Sequence, residues 1–156
     1  MAAPPTISQL QDPAYWNAVL ATLNHIAGEA TRDALSAQKV DPDVAQALRQ
    51  IYGPTVFQNQ YQALVRVAGG ERSGLITPPG DVAANVTGVV KAASDCVTLT
   101  AMLDYSKVNP TVPTAPNVVK LLPRQPVEDA AINPTPWIID QFFIIEAPED
   151  SQQCVG

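Results

Sequence analysis

The chain has 156 residues, a formal net charge of −6 and a hydrophobic fraction of 46%, which are typical of one folded domain and untypical of a disordered chain. Its nine lysines and arginines are scattered without a cluster; no nucleic-acid binding is expected, because that function needs a basic face. No run approaches the roughly 18 apolar residues of a membrane-spanning helix, so we expect no transmembrane segment in this chain.

Two features of the sequence bear on its cellular compartment. The start, Met1–Thr6, lacks the basic region and apolar run of a signal peptide, and its polar, proline-rich character fits a mature region without its signal or anchor. Cys96 and Cys154 are interpreted as a disulfide that ties a strand start to the C-terminal tail, the alternative being two unrelated thiols. Because disulfides persist in oxidising compartments, a secreted or extracytoplasmic location is expected, and a cytoplasmic one stays open.

Three helices are predicted in the first half of the chain. The Asp-Pro pairs at 12–13 and 41–42 each supply a capping carboxylate followed by a proline at the first helical position. Apolar residues recur at helical spacing after each pair. Gly53 is expected to end the second helix in a left-handed conformation, and the third helix runs from Pro54 to the glycines at 69–70.

The second half changes to the two-residue period of β-strands. Val82–Ala93 and Cys96–Tyr105 are predicted to form an antiparallel hairpin with one buried face. Asn117–Leu122 is a shorter strand candidate. The last strand, Trp137–Glu146, is apolar on both faces, so it is predicted to be central in the sheet or covered on both sides. In the first strand, one predicted face carries Val82, Ala84, Val86, Gly88, Val90 and Ala92.

Three helices followed by about four antiparallel strands define an α+β domain over 13–156 with a C-terminal tail, preceded by a disordered lead over 1–12. This element order, with Trp137 in the sequence Thr-Pro-Trp-Ile-Ile, resembles the NTF2-like superfamily of cone-shaped folds over about residues 13–146. The nearest likeness is to exported or membrane-tethered actinobacterial domains associated with Mce transport systems. The resemblance implies a curved sheet wrapping the first helix, with a pocket at its wide end. Cystatin-like and other helix-on-sheet arrangements are the alternatives.

Neither the fold nor the resemblance decides the function, because such pockets serve as active sites in some members and as core or interface in others. With His25 as the only histidine and no phosphate or calcium loop, no metal and no cofactor are expected. The first hypothesis is a non-catalytic exported module that binds a protein partner or an apolar small molecule, with its oligomeric state open. Simple core packing is the alternative for the predicted pocket walls, which are Trp16, Leu20, Phe57, Tyr61, Trp137 and Phe143.

The second hypothesis is a small isomerase, cyclase or hydrolase-like enzyme. Such a site needs a carboxylate base in an apolar pocket and tyrosine hydroxyls that hold an enolate. Asp140 is the first candidate because it interrupts the most apolar strand, where burial would raise its pKa; Asp104 beside Tyr105 is the second. Tyr15 or Tyr61 would supply a hydroxyl from a helix. The alternative for Asp140 is a carboxylate that faces solvent or pairs with an arginine.

Overall fold

The computed structural model describes residues 4–124, 131–144 and 154, except for the side chains of residues 143 and 144. Within these residues, helices precede a single antiparallel sheet, which confirms the α+β prediction. The helices are α1 (Ile7–Leu10), α2 (Pro13–Ala37), α3 (Pro42–Ile51) and α4 (Pro54–Ala68), and the strands are β1 (Ala83–Ala93), β2 (Cys96–Asp104), β3 (Ala115–Pro123) and β4 (Trp137–Ile144).

Helix α1 lies within the segment for which a disordered lead was predicted. The Thr6 hydroxyl accepts a hydrogen bond from the backbone N–H of Gln9, and the Gln9 side chain accepts one from the backbone of Thr6, which is a reciprocal capping box. Leu10 is buried, and its carbonyl accepts the indole N–H of Trp16 at 2.8 Å. The described residues therefore contain four helices where three were expected, because one helical turn is too short to show an apolar stripe.

The longer helices begin where the sequence predicts, but Gly53 differs from its prediction. The carboxylates of Asp12 and Asp41 accept backbone N–H bonds at 2.9 and 3.0 Å at the starts of α2 and α3. Gly53 has φ −67° and precedes α4 as its N-cap instead of ending α3 in a left-handed conformation. A glycine is needed there for space, since a Cβ would lie 2.7 Å from the Asp140 carboxylate.

The sheet has the strand order β1-β2-β3-β4, with every neighbouring pair antiparallel. Its inner face packs against α2, α3 and α4, and the hydrophobic core fills the space between the two layers. The most deeply buried side chains from both layers are those of Trp16, Leu20, Leu23, Ile51, Val97, Leu99, Leu121 and Trp137. The long helix α2 thus forms one wall of the space between the two layers.

Strand β1 does not keep the single alternating face that was predicted for it. Its pairing with β2 shifts between Val86 and Gly88 and again between Val89 and Lys91. Each shift inserts one unpaired residue, which turns the following side chains to the other face. Val89 therefore packs against the core, whereas Val90, predicted on the same face as Val86, is 52% exposed.

Strand β4 ends the strand order of the described sheet, so the prediction of a central position is wrong. The α3–α4 junction covers part of its free edge: Tyr52 forms a parallel bridge with Ile139, and the Gly53 N–H donates to the Ile139 carbonyl at 2.8 Å. Trp137 and Ile139 face the core, which accounts for one apolar face. Residues 145 and 146 of the predicted strand lie outside the described residues.

The disulfide between Cys96 and Cys154 is confirmed, with their Cα atoms 5.8 Å apart. Cys154 lies on the sheet face opposite the helices. Its backbone N–H donates to the Thr98 hydroxyl at 3.3 Å, and its carbonyl accepts from the Lys91 ammonium at 3.4 Å. No helix in the described part of the chain is long and apolar enough to cross a bilayer.

Candidate functional site

A cavity of about 90 Å³ lies between the inner face of the sheet and helices α2 and α4. We call it the inner cavity. Its apolar walls come from both layers: Leu20, Val82, Leu103, Val119, Ile139 and Phe142. Four polar side chains also line it, namely those of Asn24, Tyr52, Gln60 and Tyr105. An apolar chamber with a few converging polar groups is the usual composition of a small-molecule site.

Each polar side chain reaches the inner cavity from a different element. Asn24 lies one turn after the wall residue Leu20 on α2, and residues at this spacing share a helix face. Tyr52 follows α3 and is held by its bridge to Ile139. Gln60 belongs to α4, and Tyr105 directly follows β2. The site therefore forms only when the helical layer has docked on the sheet.

The tyrosines supply hydrogen-bond donors that keep their protons at neutral pH. Burial raises the pKa of Tyr52 well above its usual range, and the nearby Tyr105 raises it further. Burial also raises the pKa of Tyr105. A protonated phenol can donate one hydrogen bond and accept others. None of the described residues that line the inner cavity carries a charge, so a charged ligand would lose its hydration there without compensation.

A second cleft, of about 130 Å³, is also lined by two of these residues. We call it the outer cleft. It shares Tyr52 and Gln60 with the inner cavity and lies between α2 and α4. Its remaining lining is Ala27, Thr31, Leu48, Ala63, Leu64, Val67 and Leu75. The two spaces therefore adjoin at Tyr52 and Gln60.

Of the predicted pocket walls, Leu20 lines the inner cavity, while the two tryptophans belong to the core. Their rings meet edge-on with centroids 5.0 Å apart, and both are almost completely buried. The indole N–H of Trp16 donates to the Leu10 carbonyl, and that of Trp137 donates to the Tyr15 hydroxyl at 2.9 Å. Tyr15, a predicted hydroxyl donor for an enzyme site, thus accepts a hydrogen bond from a core residue.

Phe57 and Tyr61, two of the other predicted walls, are not among the described residues that line the inner cavity. Phe57 and Tyr61 pack against each other on α4 with ring centroids 5.6 Å apart, and the Arg49 guanidinium stands 4.7 Å from the Phe57 ring centroid. Phe143 pairs with Val118 through its backbone, and its side chain lies outside the described residues.

The carboxylates considered for catalysis do not reach the inner cavity. Asp140 lies at an irregularity in the β3–β4 pairing, 3.5 Å from the Lys120 ammonium. Asp104 accepts the backbone N–H of Ser106 at 2.8 Å, and hydrogen bonds of this kind lower its pKa. Tyr105 is the one member of the predicted catalytic set among the described lining residues. No carboxylate occurs among those residues.

His25 takes part in a cluster that attaches the segment before β1 to α2. Its Nδ1 lies 2.8 Å from the Asp81 carboxylate, which also accepts from Arg32 at 2.9 Å. Burial alone would raise the pKa of Asp81, but the hydrogen bonds and charges of His25 and Arg32 lower it. A Cβ on Gly28 would collide with the same carboxylate. This close approach explains a glycine in the middle of α2.

Another concavity, with a volume of about 400 Å³, lies between α2 and α3. Its rim is acidic and includes Glu29, Asp33, Asp41 and Asp43. Asp41 already caps α3. In the described ranges, no group of three or more His, Cys, Asp or Glu side chains is placed to hold a metal ion.

Comparison with known protein families, curated proteins and solved structures finds no match for this chain. The case for a site therefore depends on the geometry of the inner cavity.

Three of the four polar lining residues were not predicted from the sequence. Asn24 could have been predicted from the sequence, since it is a polar residue one turn from Leu20 beside an apolar stripe. Tyr52 and Gln60 were given no functional role. Their place in the site depends on how α3 and α4 meet β4, which helical spacing does not reveal.

Proposed function

We propose that this chain is an extracytoplasmic, NTF2-like binding module that holds a small, uncharged, mostly apolar molecule in the inner cavity. The observation that carries the proposal is an apolar chamber between sheet and helices into which two protonated tyrosines and two amides project. Together these groups can bury a hydrocarbon body and hydrogen-bond one polar atom.

The volume of the inner cavity limits the size of the ligand. Common ligand pockets measure roughly 300–1,000 Å³, and an engineered apolar cavity of about 150 Å³ binds benzene. A space of about 90 Å³ thus suits a molecule with a handful of non-hydrogen atoms.

The polar side chains favour an oxygen atom on that molecule. Tyr52 and Tyr105 are protonated at neutral pH, as any phenol with a pKa of about 10 or higher is, so each can donate to a carbonyl or hydroxyl oxygen. Asn24 and Gln60 add amides that donate and accept. A small ketone or alcohol satisfies these groups better than a pure hydrocarbon, which would leave them unpaired at a cost of about 1–3 kcal/mol each.

The fold and location within this proposal have separate support. The resemblance to NTF2-like folds is favoured by the long α2 lying on a four-stranded antiparallel sheet, with a cavity between the two layers. An extracytoplasmic location is favoured by the disulfide between Cys96 and Cys154.

The enzymatic alternative has weaker support from the same cavity. An isomerase, cyclase or hydrolase of the expected kind needs a carboxylate base within reach of the substrate. Among the described lining residues none is a carboxylate, and Asp140 contacts Lys120 instead. The binding function is therefore preferred.

A titration with cyclopentanone, followed in the methyl region of NMR spectra, tests the proposal. Saturable shifts are expected in the wild type, and Val82→Phe should abolish them because the larger ring enters the inner cavity from its wall. Val90→Phe is the matched control, since it adds the same ring at an exposed position of β1 and should keep binding. Binding that survives Val82→Phe, or a wild type without saturable shifts, would overturn the proposed site.

A further inference from the structure

We infer that the ligand site continues past Gln60 into the outer cleft, and that the preferred ligand is an unbranched, uncharged molecule too long for the inner cavity alone. This inference rests on the proposed function and specifies its ligand class. Its basis is that the inner cavity and the outer cleft share Tyr52 and Gln60 as lining residues.

The two shared side chains differ in how firmly they are held. Tyr52 is attached to β4 through its backbone bridge to Ile139. Gln60 projects from α4 on a flexible chain, and rotation about its side-chain bonds needs no movement of the helix. Ala63, on the same helix, leaves space in the outer cleft. Rotation of Gln60 would therefore join the two spaces while the fold stays unchanged.

The chemistry of the outer cleft fits the apolar end of such a ligand. Its described lining contains no charged residue. The hydroxyl of Thr31, its polar member besides Tyr52 and Gln60, already donates to the Ala27 carbonyl at 2.9 Å. Hydrogen-bonding groups thus concentrate around Tyr52 and Tyr105 in the inner cavity. The ligand's oxygen is placed there, and its hydrocarbon chain passes Gln60 into the outer cleft.

A series of primary alcohols from n-butanol to n-octanol tests this arrangement by NMR titration of the whole chain. Each methylene buried in the outer cleft should strengthen binding by up to about fourfold, the factor that corresponds to about 0.8 kcal/mol at 25 °C. In the wild type, affinity should keep rising beyond the length that fills the inner cavity. Gln60→Ala should strengthen binding of n-octanol more than binding of n-butanol.

Blocking the outer cleft separates the inference from the proposed function. Ala63→Phe should leave n-butanol binding unchanged and stop the rise in affinity for longer alcohols. Val65→Phe, which adds the same ring at an exposed position of α4, should keep the wild-type series. If n-butanol binds but longer alcohols gain nothing in the wild type, or if Ala63→Phe leaves their gain intact, the inference is overturned and the proposed function stands. If no alcohol binds in the inner cavity, both fail.

Discussion

Replacing both cysteines with serine is expected to lower the free energy of unfolding by up to about 4 kcal/mol. Cys96 and Cys154 are 58 residues apart, and in the chain-entropy model closing a loop of that size restricts the unfolded chain by this amount. The loss is large against the roughly 5–15 kcal/mol that stabilises an ordinary domain. The hydrogen bonds that the Cys154 backbone donates to Thr98 and accepts from Lys91 add too little to compensate, because they close no covalent loop.

Urea unfolding followed by tryptophan fluorescence measures this loss, since Trp16 and Trp137 are buried and report on the core. With a urea dependence of about 2 kcal/mol per molar, the midpoint should fall by roughly 2 M. The wild type in reductant should unfold like the double variant, and reductant should leave the double variant unchanged. A double variant within about 0.5 kcal/mol of the oxidised wild type would refute the reasoning, because the cross-link would then restrict nothing.

Gly28→Ala should destabilise the fold by about 1–3 kcal/mol, because the added Cβ collides with the Asp81 carboxylate. In a helix this change usually stabilises by about 1 kcal/mol, and urea unfolding that shows such a gain would contradict the contact. Asn133→Ala should cost about 2 kcal/mol or more in the same assay, because it removes the side-chain donor to the Gln50 carbonyl and the acceptor of the Thr135 backbone N–H; an unchanged midpoint would disprove this. The lowered pKa of Asp81 predicts stability that is complete above its unfolded pKa of about 3.9 and is lost as the pH falls through the lower folded value. The stability difference between wild type and Asp81→Asn should therefore shrink between about pH 5 and pH 2, and a constant difference would count against the ion pairs.

Local signals in the sequence predict most of the helical layer. The pairs at 12–13 and 41–42 combine a side-chain cap with a proline, and both act within one helical turn. Helix α1 was missed because its capping box encloses a single turn. Gly53 was misassigned because the need for a glycine at this position comes from the close approach of Asp140, a residue far along the chain.

The sheet shows where an alternating pattern is insufficient. Strands β2 and β3 form where their apolar residues predict them. Strand β1 contains two irregularities that alternation does not reveal, and each irregularity reverses the face of the residues after it. Strand β4 was predicted to be central or covered on both sides because it is apolar on both faces. Its edge is covered instead by Tyr52 and Gly53, and this cover depends on tertiary contacts.

The candidate site was predictable only in part. Leu20 and Tyr105 were both named from the sequence, for different reasons. The aromatic residues chosen as walls were judged by size, and Trp16 and Trp137 instead satisfy their indole groups inside the core. Tyr52 could not be chosen, because its position depends on the junction between α3 and α4 meeting β4.

The most direct test of a ligand site is to locate a bound molecule by intermolecular nuclear Overhauser effects. With cyclopentanone at saturation, the account predicts contacts from the ligand to methyl groups of Leu20, Leu103 and Ile139, which come from three elements around the inner cavity. Contacts confined to surface methyl groups, or none at all, would contradict it.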